Sequence, residues 1–202
     1  MGLKVGITGG IGSGKSTLSK FFEVLGIPVY YADDAAKKLM NSDTGLKEKL
    51  CFEFGKSIYT DGVLNRQVLA GIVFNDEAKL ATLNAIVHPA TIADAENWMQ
   101  KQKSPYTIKE AALIFESEGN QKLDKVIGVF CEEDLRIKRV MLRDNTTKEK
   151  VLNRLNKQMK EEEKMRLCNY IITNNDMVLV IPQVLKIHED LLKLASSNSG
   201  KS

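Results

Sequence analysis

Apolar positions fall into two kinds of stretch along this chain. Short runs dense in Val, Ile, Leu, Phe and Tyr lie at 4–8, 28–32, 107–115, 125–131 and 170–173. Runs of this length, closed off by turn-forming or charged residues, predict five short buried strands. Between them the apolar residues recur at three- and four-residue spacing, as in Leu18, Phe21, Phe22 and Leu25. Strands alternating with amphipathic helices predict an α/β fold with a five-stranded parallel sheet flanked by helices.

The alternation is uneven. Residues 33–103 carry no strand pattern and read as successive helices. Asn65 is placed to cap RQVLAGIVF, Asn75 to cap a helix through Ala85 and Val87, and Pro89 to open another through Trp98. Thr146 and Glu149 form a capping-box pattern ahead of VLNRLNKQM. The expected organisation is one domain: a core of about 1–32, 104–135 and 164–195, a helical insertion of about 33–103, and a small helical lid of about 136–163. The tail SSNSGKS, 196–202, is expected to be disordered.

Where the first strand hands over to the first helix stands GITGGIGSGKST, residues 6–17. Gly9, four further residues and Gly14-Lys15-Ser16 fit G-x-x-x-x-G-K-[ST] between a strand and a helix, the context that motif requires. A loose surface turn would also tolerate the glycines, but the flanks favour a phosphate cradle. Backbone N–H groups of Gly12, Ser13, Gly14, Lys15 and Ser16 can then turn toward an anion at the positive end of the helix. Lys15 would reach the β and γ phosphates of a nucleoside triphosphate, Ser16 would coordinate Mg²⁺, and Thr17 would meet the α phosphate.

Composition changes this picture little. A chain of 202 residues, 43% hydrophobic, supports one domain with a sizeable core, and a net charge of +3 is too small to argue for a nucleic-acid surface. Cys51, Cys131 and Cys168 form no C-x-x-C pair, so neither a zinc site nor a disulfide framework is expected. No apolar run reaches membrane-spanning length and no leader pattern is seen, which together imply a cytoplasmic enzyme with neither membrane nor obligate protein partner.

Ligands of open parallel sheets bind beyond the carboxyl ends of the strands, and acidic residues follow three of them. Asp33 follows the second strand, where it would accept a proton from an acceptor hydroxyl or cap the next helix. Glu116 closes the third run and Glu132 the fourth. Arg136, Arg139 and Arg143 share one helix face, opposite Ile137, Val140 and Met141. That face is either solvated or turned toward transferring phosphate; Arg143, at the helix end, and Arg154, in the lid, are the candidates to stabilise its charge.

The loop at 6–17, the acidic residue after the second strand, LNRQVL at 64–69, VFND at 73–76, IVHPA at 86–90, EAALIFE at 110–116, IKRVMLRD and RLNKQM together resemble the dephospho-CoA kinase family, from the first strand to about Asn175. That resemblance implies a P-loop kinase core, a helical domain holding the coenzyme A precursor, and a lid. It further implies transfer of the γ phosphate of ATP, with Mg²⁺, to the 3′-hydroxyl of the ribose of dephospho-CoA. Carried over by position, Lys15 and Ser16 keep the roles above, Asp33 matches the second aspartate of the family's D-A-D, and Arg143 matches an active-site arginine. Arg66, His88 and Glu116 fall in the substrate-binding segments, while Arg139 and Arg154 accompany the lid. His88 is equally readable as a helix-boundary residue bonded to a backbone carbonyl. Three positions depart from the pattern: Tyr31 replaces the first aspartate, Ala112 a proline, and Arg136 a glutamine.

Two rival readings remain at this level. One is a kinase of another small metabolite. The other is a GTP-dependent switch, which would need an N-K-x-D segment that neither NKQM at 156–159 nor NNDM at 174–177 supplies.

Overall fold

The computed structural model describes residues 2–74 and 76–199, without the side chains of 198 and 199. In chain order the elements begin with β1 (Leu3–Thr8), α1 (Lys15–Val24), β2 (Val29–Tyr31), α2 (Ala32–Ser42), α3 (Thr44–Phe54), β3 (Tyr59–Thr60), β4 (Val63–Leu64), α4 (Arg66–Val73) and α5 (Glu77–Gln100). They continue with β5 (Tyr106–Glu110), β6 (Lys125–Phe130), α6 (Glu133–Asp144), α7 (Lys148–Leu155), α8 (Glu161–Arg166), β7 (Tyr170–Thr173) and α9 (Val180–Ser199). Two compact units result, Met1–Tyr30 with Met99–Ser202, and Tyr31–Trp98.

The first unit is built on a five-stranded sheet in the order β2-β5-β1-β6-β7. Central β1 lies parallel to both neighbours, with Ile7 opposite Glu110 on one side and Ile127 on the other. Val5, Ile7, Ile108, Ile127 and Val129 are wholly buried, as expected of strands covered on both faces. Leu18 and Phe22 of α1 and Val184 and Leu191 of α9 are buried with them, and α8 packs against β6. The α/β class and the parallel sheet are therefore as the apolar runs indicated.

The third strand is shorter than its apolar run. β5 ends at Glu110; Ala111 N–H makes one more bond, to Ile7 O at 3.1 Å, and residues 112–122 then wind through turns. Ile114 is fully buried from within those turns, because Gly6 of β1 leaves a space whose missing Cβ would lie 2.8 Å from Ile114 Cδ1. Burial beside a glycine, and not a pleated backbone, made the segment read as strand, so Glu116 does not stand at a strand end.

The second unit packs Leu46, Leu50, Phe54, Ile58, Leu64, Leu69, Val73 and Val87 into its own core. It contains a feature the helical reading omitted, the antiparallel hairpin β3–β4. Strands of two residues are too short to show an alternation. Asn65 caps α4 as expected, accepting from Val68 N–H at 3.2 Å. Asn75 lies outside the described residues; Asp76 accepts from Lys79 N–H at 3.0 Å at the start of α5. Pro89 does not open a helix but lies inside α5. One missing backbone bond is a smaller cost than ending a helix that packs Leu80, Leu83, Val87 and Ala90 against one core.

Three further expectations are corrected. Asp33 is not a cap: α2 starts at Ala32 with Tyr31 at the cap position, placing Asp33 in the first turn. Thr147, not Thr146, caps α7 through Lys150 N–H. Of the tail expected to be disordered, 196–202, residues 196–199 continue α9, and 200–202 lie outside the described residues.

Replacing the cap, Asn65→Ala, should lower stability by about 1 kcal/mol, as loss of one side-chain cap ordinarily does. Denaturant titration checks this, and a midpoint indistinguishable from that of the unchanged protein would mean that α4 is held by packing alone.

Candidate active site

Residues 9–14 turn from β1 into α1 as a loop whose walls come from distant elements. Gly14, with φ 94°, is the residue at the α1 cap position, and a Cβ there would overlap the Asn174 side-chain amide. Only glycine meets both demands. Asn174, just past β7, donates through Nδ2 to Ser13 O at 2.8 Å. Inside the loop Ser13 N–H bonds Gly10 O at 3.1 Å. Gly10 N–H donates to Glu161 Oε2 at 3.1 Å, and Ile11 N–H to Gln158 Oε1 at 3.0 Å.

The first helical bond beyond the loop is Leu18 N–H to Gly14 O, so the N–H groups of Lys15, Ser16 and Thr17 precede the helical ladder, as in the first turn of any helix. Lys15 is buried, its Nζ directed at Gly10 O, whereas Ser16 and Thr17 are exposed. Ser13 is 0% exposed, and both its backbone groups are engaged, the N–H with Gly10 O and the carbonyl with Asn174 Nδ2. A cation, a hydroxyl pair and the first-turn N–H groups at the positive end of a helix form a receptor for polyphosphate.

Glu116 is drawn to the same wall. Its Oε1 accepts from Met159 N–H at 2.9 Å and lies 2.9 Å from Nζ of Lys164, which is wholly buried. Lys164 also donates to Ala112 O at 2.9 Å, and that carbonyl takes the Thr8 hydroxyl at 3.2 Å.

The arginines separate. Arg136 is buried, not on a solvated face: Nε donates to Cys131 O at 3.0 Å and Nη1 lies 3.6 Å from Glu161 Oε2. Arg139 holds the segment after β7, donating to Asn174 O at 3.0 Å and pairing with Asp176. Arg143 and Arg154, both largely exposed, converge on Asp144. Arg143 gives that carboxylate two bonds, at 2.7 and 3.0 Å, and Arg154 one at 2.9 Å, which hold the Asp144 carboxyl down at about 2. Burial pushes the Cys131 thiol up in spite of the nearby Arg139. Ile137, Val140, Val151 and Leu155 form a small core against which Ile11 of the loop packs, as the apolar stripe of α6 indicated.

Asp33 is exposed in α2, Arg66 is exposed at the start of α4, and His88 is half-buried in α5; all three belong to the Tyr31–Trp98 unit. Glu161, Lys164 and Asn174 escaped sequence reasoning. Glu161 and Lys164 belong to a run, KEEEK, that has the appearance of an ordinary solvated face, and nothing in it marks which two charges turn inward.

The model of the family CoaE, dephospho-CoA kinase, matches residues 3–179. The chain belongs to this family. A dephospho-CoA kinase of Bacteroides fragilis is 34% identical over 188 residues, 93% of this chain and 92% of its own. Among solved structures, TT1252 from Thermus thermophilus aligns with a TM-score of 0.80 at 30% identity, over 95% of this chain and 97% of its own. The dephospho-CoA kinase from Campylobacter jejuni aligns with 0.70 at 28% identity, over 96% and 98%. A dephospho-CoA kinase is a nucleotide-binding transferase of coenzyme A biosynthesis, in keeping with the polyphosphate receptor around Lys15. Among the described residues no helix is long and apolar enough to cross a membrane.

The Arg143–Asp144–Arg154 fork makes a ranked prediction. The folded-state pKa of Asp144 lies below its ordinary value of 3.8, so the fork contributes stability above that pH and loses it as pH falls toward about 2. Carboxyl-carbon NMR titration should show Arg143→Ala returning Asp144 further toward 3.8 than Arg154→Ala does, because the Arg143 bonds are the largest cause. Equal shifts would mean that general charge and not hydrogen bonding lowers the value.

Proposed function

We propose that this kinase transfers the γ-phosphoryl group of ATP to the 3′-hydroxyl of the ribose of dephospho-CoA, giving coenzyme A and ADP. The observation that carries this reading is the loop at residues 9–17: a buried Lys15 and exposed Ser16 and Thr17 at the start of α1, in a chain matched to the family from residue 3 to 179. Lys15 and the first N–H groups of α1 bind the β and γ phosphates and draw charge off the bridging oxygen as it leaves. Mg²⁺ suits this donor set. Among the described residues no three His, Cys, Asp or Glu side chains group as a metal site, so the Ser16 hydroxyl would hold an ion otherwise bound by phosphate and water. When bound, the ion neutralises charge on the β and γ oxygens.

Asp33, exposed in the first turn of α2, takes the proton of the attacking hydroxyl. The new O–P bond then forms as the bond to the ADP oxygen breaks. With Tyr31 in place of the family's first aspartate, Asp33 is the one carboxylate matched at that segment. Arg66 and His88 belong to the unit that receives the acceptor, and Glu116 supports the substrate segment at 110–116. Residues 136–163 act as the lid, from which Arg143 supplies positive charge to the moving group, with Arg139 and Arg154 as accessory arginines. Delaying that supply until the acceptor is bound limits loss of the phosphoryl group to water.

Incubating the protein with Mg²⁺-ATP and dephospho-CoA and identifying products by mass spectrometry should show coenzyme A and ADP; phosphorylation of a different hydroxyl acceptor in its place refutes the substrate assignment. Lys15→Ala should abolish turnover and weaken ATP binding, while Asp33→Asn should cut the rate strongly and leave ATP affinity nearly intact. Near-normal turnover of Asp33→Asn removes its role as base. Arg143→Ala should slow single-turnover transfer by up to about 10³-fold with a far smaller change in ATP affinity. An unchanged transfer rate takes Arg143 out of the site.

A further inference from the structure

Gly10 and Ile11 N–H are taken by side chains from just before and within α8. At Gly10 the acceptor is a carboxylate. Glu161 approaches with Oε2 at 3.1 Å and Oε1 at 3.4 Å, its side chain only 10% exposed. A carboxylate buried beside a polyphosphate receptor is costly twice over, in lost hydration and in repulsion of the ligand. Arg136 offsets both. Its side chain is 5% exposed, its guanidinium is anchored on Cys131 O, and Nη1 faces Glu161 Oε2 at 3.6 Å. The pair is packed against the loop backbone itself: a Cβ on Gly10 would overlap Arg136 Nη1 and lie 2.7 Å from Glu161 Oε2.

We propose that Glu161, its charge balanced by Arg136, is a positioning residue: it fixes the Gly10–Ile11 edge of the phosphate loop and so holds the loop in its nucleotide-binding shape. The inference deepens the proposed function, since it rests on ATP being the ligand of that loop. Glu161 acts through the backbone of Gly10 and touches no reacting atom. Gln158, on the next N–H, reinforces the same edge without charge. Arg136 has a second weak partner in Glu133 at 3.9 Å, which is solvent-facing and cannot replace Glu161.

The test uses the full chain and reads ATP affinity by calorimetry with Mg²⁺ and no acceptor, then KM for ATP, KM for dephospho-CoA and kcat. Glu161→Ala should weaken ATP about tenfold, as expected for a lost charge-assisted bond, with the larger share of the kinetic loss in KM for ATP and not in KM for dephospho-CoA. Arg136→Gln, which strands the Glu161 charge, should weaken ATP by at least about tenfold, and adding Glu161→Gln to it should restore affinity to within about threefold of the unchanged protein, the coupling expected of directly interacting partners. A merely structural pair would instead lower the thermal midpoint in all variants with ATP affinity unmoved. That outcome, or a double variant no tighter than Arg136→Gln, overturns the proposal. Because Glu161→Gln is isosteric, the comparison survives if Glu161→Ala does not fold. Affinity is read without acceptor, so a different acceptor would fail the product assay while leaving this result intact.

Discussion

A loop that binds phosphate through its backbone cannot spend the same N–H groups on holding itself in place. The rest of this molecule answers that constraint. At the front of α1 the N–H groups of Lys15, Ser16 and Thr17 precede the helical ladder, and the loop before them is held from outside. Asn174 takes Ser13 O, Glu161 and Gln158 take Gly10 and Ile11 N–H, and Ile11 packs against a small apolar core. The glycines serve this arrangement by letting those groups close in, which is why Gly14 lies against Asn174 and Gly10 against Arg136.

Buried charge is concentrated along the same wall. Lys164, without exposure, joins Glu116 to Ala112 O, and the Thr8 hydroxyl meets the same carbonyl at the end of β1. Such a pair adds little net stability compared with well-packed apolar residues, yet losing one member leaves an unpaired charge inside. It therefore fixes geometry more than it adds strength. The turns at 112–122 and the segment at 158–164 are tied in this way to the strand that carries the loop.

The four arginines show how one residue type divides its work by environment. Arg136 is buried and neutralises Glu161; Arg139 is half-buried and clamps the segment after β7; Arg143 and Arg154 share Asp144 in the open. Exposed pairs of the last kind contribute little to stability. That leaves their guanidinium groups cheap to redirect toward a substrate phosphate, whereas Arg136 is committed.

What the chain declared by itself is local or periodic. Five apolar runs, the G-x-x-x-x-G-K-S signature and the stripe of α6 follow from neighbours along the sequence, so the sheet, the loop and the packing of Ile137 and Val140 were legible in advance. The third strand misled because Ile114 is buried by Gly6, more than a hundred residues away. The β3–β4 hairpin is too short to have a period, and Pro89 stays helical because a shared core outweighs one missing bond. Glu161 and Lys164 were illegible for a different reason. In KEEEK every residue is equally charged, and only the fold determines which side chains meet Gly10 N–H and Glu116 and which meet water. Sequence determined that a phosphate loop would form; tertiary structure decided what holds it, because burial and pairing of charge depend on partners far apart in the chain.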